Sequence, residues 1–157
     1  MTRATAGWRE VLAGRPFSVW TYLRPAMMTK AERLASWMEV AADQWVCAQS
    51  LNERASYGGA LFWAFMTIKS LGQSVWLREH TNGLPPRRPR LGKLLAATSF
   101  QPTTEQLTLL ADLDHWRKDT IEPDPEDPFR NRATAEYTHN FLLETNHLRE
   151  ALLAHLA

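Results

Sequence analysis

The feature that most constrains the fold is one stretch, residues 29–95. It reads as two long helices hinged at Ser56-Tyr57-Gly58-Gly59 and closed by a loop of prolines and arginines, Gly83-Leu84-Pro85-Pro86-Arg87-Arg88-Pro89-Arg90. The first helix has a written start. Thr29 followed three residues later by Glu32 is a capping box, in which each side chain satisfies a backbone amide that the helix end leaves open. Downstream, Trp37, Val40, Ala41, Ala48, Leu51 and Ala55 fall on one face at about 100° per residue, with Glu39 and Glu53 opposite. Gly58-Gly59 then breaks the helix. The second helix, expected from about residue 60 to 79, is apolar over most of its circumference through Leu61, Phe65, Ile68, Leu71, Val75 and their neighbours. A helix with so little polar surface belongs at the centre of a bundle.

Beyond the proline and arginine loop, residues 91–97 predict a short helix, and Thr103 with Gln106 forms a second capping box opening a helix over 104–118. Leu107, Leu110, Ala111, Leu113 and Trp116 supply its apolar side. Residues 119–130 hold three prolines and five acids, which argues against an ordered helix there. A last helix is expected over 132–156, with Ala133, Tyr137, Phe141, Leu148 and Leu152 as its core stripe. Residues 1–28 read as an arm: Trp8, Trp20 and Tyr22 are costly to leave in water, so it lies over the helical body or over a partner subunit. The expectation is an all-α protein, with the arm at 1–28 and a helical domain at 29–157.

Composition narrows the function classes. Cys47 is the only cysteine among 157 residues, so no intramolecular disulfide can form and a reducing cytoplasm fits. We expect Cys47 to be a small core residue. The first ten residues interleave charged and apolar side chains, unlike a signal peptide, and the longest uncharged run, 55–68, is shorter than the ~20 residues a membrane-crossing helix needs. A formal net charge of +1 favours neither nucleic acid nor membrane globally, so any preference must come from local patches.

Three groups of residues resemble the helical HEPN (higher eukaryotes and prokaryotes nucleotide-binding) domains of bacteria and archaea. They are Ala42-Asp43 in the first helix, Tyr57 leading into Ala60-Leu61-Phe62, and Gly83-Leu84-Pro85-Pro86 ahead of Leu91, Leu94 and Leu95. The resemblance covers about residues 31–156. It implies a four-helix up-and-down bundle with an extra short helix, a homodimer, and an RNA or nucleotide ligand in a bacterial defence or toxin-antitoxin type system. Some relatives are partnered with a nucleotidyltransferase. No cofactor or metal is implied. The chain departs from the pattern at Phe65-Met66 and Lys69-Ser70, where many members are polar and charged. It departs again at Arg87, Arg88, Pro89 and Arg90, where a histidine often follows the paired prolines.

Catalytic members resemble one another in an arginine and a histidine separated by four to six residues, cutting RNA without metal. By location the arginine would be Arg117, but that spacing reaches Glu122, Pro123 and Asp124. Arg132 and His139 match formally, within the last helix. On an ideal helix Arg132, Glu136 and His139 share the side opposite Phe141, with Leu143 nearby as a candidate subunit contact. His139 would act as general base or acid on a ribose hydroxyl, Arg132 would stabilise phosphate charge, and Glu136 would orient one of them. A solvated helix face explains the same residues. Arg87, Arg88, Arg90 and Lys93 place four cations in seven residues on a stiffened loop, a cradle for phosphates that Arg117 could join. That charge could instead be neutralised by the acidic segment. His139, His147 and His155 recur every eight residues, turning by about 80° per step, and so cannot converge on one metal. The leading expectation is a noncatalytic binding or interaction module. The alternatives are a metal-independent ribonuclease using Arg132 and His139, or a purely structural dimerisation module.

Overall fold

A computed structural model describes residues 28–117, 126 and 132–157. Among the described residues there are five helices: α1 Lys30–Glu53, α2 Tyr57–Glu79, α3 Leu91–Ala96, α4 Thr104–Trp116 and α5 Ala135–Leu156. Among the described residues there is no strand, and no helix is long and apolar enough to cross a membrane. The chain divides into two compact units between Arg33 and Leu34. Of the first unit only residues 28–33 are described, so the expected arm lies almost wholly outside the described residues. Those six residues hold the start of α1: Thr29 N donates to Glu32 Oε2 at 2.7 Å and Glu32 N donates to Thr29 Oγ1 at 3.2 Å. Arg33 closes the turn by donating to Met28 O. The second capping box forms in the same way, Thr103 N to Gln106 Oε1 at 3.0 Å and Gln106 N to Thr103 Oγ1 at 3.2 Å.

The break between α1 and α2 is not at the glycines. Ser56 N donates to Leu51 O at 2.8 Å and Ala55 N to Asn52 O at 3.0 Å, the paired bonds of a Schellman ending, with Ala55 left-handed at φ 58°. Gly58 and Gly59 instead belong to the first turn of α2. Gly59 is small because of packing: a Cβ there would lie 3.1 Å from Leu51 Cδ1 and 3.2 Å from Ser56 Oγ. The last helix also starts later than its periodicity suggests. Thr134 caps it by accepting from Tyr137 N at 3.2 Å, which leaves Arg132 and Ala133 outside α5.

As its composition predicts, α2 is central. Ala60, Leu61, Ala64, Phe65, Ile68, Leu71 and Val75 are all 1 % exposed or less. Its most extensive packing is against α5, and α3 and α4 also lie on it. Phe141, Leu148 and Leu152 come from α5, Leu110, Leu113 and Trp116 from α4, and Leu91 and Leu95 from α3. Gly72 marks a close approach, since a Cβ there would come within 2.9 Å of Leu94 Cδ2. Contacts at the ends give the directions. Leu51 meets Gly59 while Ser70 donates to Gln44 at 2.8 Å, so α1 runs against α2. Arg78 donates to His155 O at 2.7 Å where α2 and α5 end together, and Trp116 meets Tyr137 where α4 ends and α5 begins.

Three expectations about the core change. The inward face of α1 is Ala41, Gln44, Trp45 and Ala48, whereas Val40 is 44 % exposed and Ala55 is past the helix end. Cys47 is exposed because it follows Val40 by one heptad and shares its outward line. Within α4, Leu109 is buried while Leu107 and Ala111 face outward.

The C-terminal position of α1 yields a direct test. An L-residue at φ 58° is strained, and glycine is not. Ala55→Gly is therefore expected to raise unfolding stability by about 0.5–1 kcal/mol, read as a higher urea midpoint at unchanged slope.

Candidate functional site

The loop between α2 and α3 is pinned from both sides by the helices it crosses. Gln73, on α2, donates from Nε2 to Pro86 O at 2.6 Å, and both Pro85 and Pro89 are buried. His80 stacks on Trp76 at 4.0 Å, and Gly83 turns the chain at φ 92° over the same indole. From α4, the Asp114 carboxylate accepts the Leu91 amide at 3.2 and 3.1 Å. Arg90, at the N-cap of α3, makes no side-chain cap bond, so Asp114 supplies that acceptor from another helix. Arg117, just past α4, brings Nη1 to 3.5 Å from Pro89 O.

Cations gather around this frame. Lys69 lies one turn before Gln73 on α2 and is half-buried. Burial pushes its ammonium below the ordinary pKa, and the charges of Arg117 and then Arg88 push it further the same way. Burial raises the Asp114 carboxyl, against the pull of the Leu91 amide and of Arg117, Arg90 and His115. Of the residues expected in the cradle, Arg87, Arg88, Arg90 and Lys93 are all exposed, and Arg117 is half-buried beside Pro89 O. Lys69 was missed as a site residue. Its signal is plain in retrospect, because it is the one charged residue between Tyr57 and Leu77. Of the acidic segment, only Glu126 lies among the described residues.

The residues expected for ribonuclease chemistry are arranged differently. His139 lines an open groove of about 440 Å³ between α1 and α5, together with Trp45, Glu53, Leu143 and Arg149. Arg149 lies over the Trp45 ring at 5.3 Å. Glu136 is exposed one turn before His139. Arg132 precedes the helix, so the helical angle that aligned it with His139 does not apply, and it is not among the groove residues. Among the described residues no group of three or more potential metal ligands forms.

A serine, a histidine and a glutamate do meet elsewhere, without signal in the sequence spacing. Glu79 Oε1 lies 3.0 Å from His155 Nε2 and accepts from Ser99 Oγ at 2.5 Å, while Ser99 N donates to Glu79 Oε2 at 2.7 Å. Ser99 Oγ is also 3.2 Å from the same Nε2 of His155. A nucleophilic relay needs the hydroxyl and the carboxylate on opposite ring nitrogens. Here both share Nε2, so the arrangement is a clasp joining the ends of α2 and α5 to the α3–α4 connection.

Two pH effects follow with opposite signs. Burial raises the Glu79 carboxyl, but hydrogen bonds from Ser99 and His155 outweigh it and hold the pKa below 4.5. Its stabilisation is complete above pH 4.5 and is lost as pH falls through the folded value, so Glu79→Gln should lower the Tm at neutral pH and weaken the acid-side decline. Lys69 has its folded pKa below the unfolded 10.5, so its charge costs stability at lower pH, and the cost disappears as pH rises toward 10.5. Lys69→Met is expected to raise the Tm by a few degrees at neutral pH and to remove that alkaline rise in a pH series of thermal melts. No family model matches this chain, and neither a curated protein nor a solved structure is significantly similar to it.

Proposed function

We propose that this chain is a noncatalytic, HEPN-like module that binds the phosphates of RNA or a nucleotide through the loop between α2 and α3. The supporting observation is the pinned basic loop itself: Gln73 donates to Pro86 O at 2.6 Å and Arg117 reaches to 3.5 Å from Pro89 O on either side of the exposed Arg87 and Arg88, while the carboxylate of Asp114 is already engaged by the Leu91 amide. Exposed guanidiniums on a stiffened loop suit the charge and the acceptor oxygens of a phosphate. The pinned loop lowers the ordering cost of binding. In this reading the four long helices are an up-and-down bundle with α3 as the extra element, and the chain works as a homodimer in a bacterial defence or toxin-antitoxin type system. A nucleotidyltransferase is a candidate partner protein. Ribonuclease chemistry would need Arg132 and His139 on one phosphate, and the late start of α5 gives that no support.

Labelled single-stranded RNA incubated with the protein in EDTA is expected to stay intact while being bound. Replacing both Arg88→Ala and Arg117→Ala should weaken binding about tenfold or more and reduce the log–log salt slope by about 1.4, two contacts at ~0.7 each. Unchanged affinity for both RNA and nucleotide would overturn the reading. Cleavage abolished by His139→Ala would establish the ribonuclease instead.

A further inference from the structure

We propose that the groove between α1 and α5 seats a second copy of this chain, docked about a two-fold axis that crosses the groove at right angles near Leu143. This rests on the homodimer of the reading above and assigns its contact face. The groove has a definite direction. Because α1 runs against α2, while α2 and α5 end together, α1 and α5 are antiparallel. One end of the groove therefore holds Trp45 with Arg149, and the other holds Glu53 with His139. At 1.5 Å per residue this lining spans about 12 Å along α1 and about 15 Å along α5. Leu143 lies between the two ends, four residues past His139 and six before Arg149, and is 52 % exposed.

The first argument is apolar surface. Trp45 and Leu142 lie recessed in the groove at 8 % and 7 % exposed, and Leu143 stands out beside them. On α1, Val46 is 62 % exposed and precedes Gln49 and Glu53 by three and seven residues, so it continues the same rim. A two-fold contact covers such side chains in pairs, one from each copy. The second argument is charge. An axis across the groove turns one copy end for end, so that Glu53 of each copy meets Arg149 of the other. An axis along the groove would set like against like. Among the described residues Glu53 makes no ion pair, and Arg149 bonds only through Nε, which donates to Asn146 Oδ1 at 3.0 Å. Arg54 and Glu150, their chain neighbours, do not line the groove, and Glu150 accepts from Asn146 Nδ2 at 3.0 Å. The third argument is order. Asn146 and the Trp45 ring, 5.3 Å below the guanidinium, already hold Arg149, so docking costs it little freedom. A groove with opposite charges at its ends and a leucine between them is its own complement. An unlike partner has no need of that symmetry.

The test is sedimentation equilibrium of the full chain over a concentration series. Wild type is expected to dimerise, and Leu143→Lys, at an exposed position that leaves the core untouched, should weaken the dimer about tenfold or more. Glu53→Arg should weaken it in the same direction. Orientation is read separately with a short bismaleimide crosslinker on the Cys47→Ser background, which removes the native thiol. Chains carrying Glu53→Cys are expected to link to chains carrying Arg149→Cys, and neither kind to itself. Links between like chains place the axis along the groove and overturn the inference. A dimer indifferent to Leu143→Lys has its contact elsewhere: the inference fails while the homodimer stands. A chain that is monomeric at every concentration overturns both and leaves the groove to another occupant. Phosphate binding is unaffected by any of these outcomes, because the RNA titration above reads it independently.

Discussion

Burying α2 on nearly every side requires its polar side chains to find partners without water, and those partners tie the rest of the molecule to it. Thr67 and Ser74 bond back along the helix, to Trp63 O at 2.8 Å and Ser70 O at 2.9 Å. Ser70 and Gln73 reach outward instead, to Gln44 on α1 and to Pro86 in the loop. Each bond is worth only about 1 kcal/mol when formed, yet leaving a buried group unpaired costs about 1–3. The central helix therefore selects its neighbours partly by penalty. Apolar contact draws α1 and the loop inward, and the polar groups specify where they stop.

Lys69 is the exception on this helix, because burial disfavours its charge and, among the described residues, the charged groups that add to that are the cations Arg117 and Arg88. A sequence under selection for stability alone would favour an uncharged residue of similar length at that place. The same tension is absent from the Glu79, Ser99 and His155 clasp, where every group has an acceptor or donor opposite it. One end of α2 is electrostatically satisfied, and its middle carries a half-buried ammonium.

Much of the fold was legible because its signals are local. Capping boxes need only two side chains three residues apart, and both form as read. The all-round apolar character of α2 likewise translated directly into a central position. Errors arose where a tertiary or backbone preference overrode pattern. Gly58-Gly59 looked like a break, but an alanine took the left-handed turn and Gly59 serves packing against Leu51. Thr134 captured the start of α5 ahead of the apolar period, which moved Arg132 off the helix. Arginines close in sequence announced a basic loop, but Gln73 and Asp114 pin it only through folding, and no spacing rule links position 73 to 86 or 91 to 114.

The bond between Gln44 and Ser70 has a further consequence. Both residues are buried, 8 % and 7 % exposed, on helices whose other facing residues are mostly small or apolar. Alanine and leucine surfaces alone permit several nearly equivalent ways for two helices to slide past each other. A shift of one turn, about 5.4 Å, would part the hydroxyl from the amide oxygen and strand both away from water. This one pair thus acts as an index mark between α1 and α2, and every translated docking of the first helix loses to the observed one.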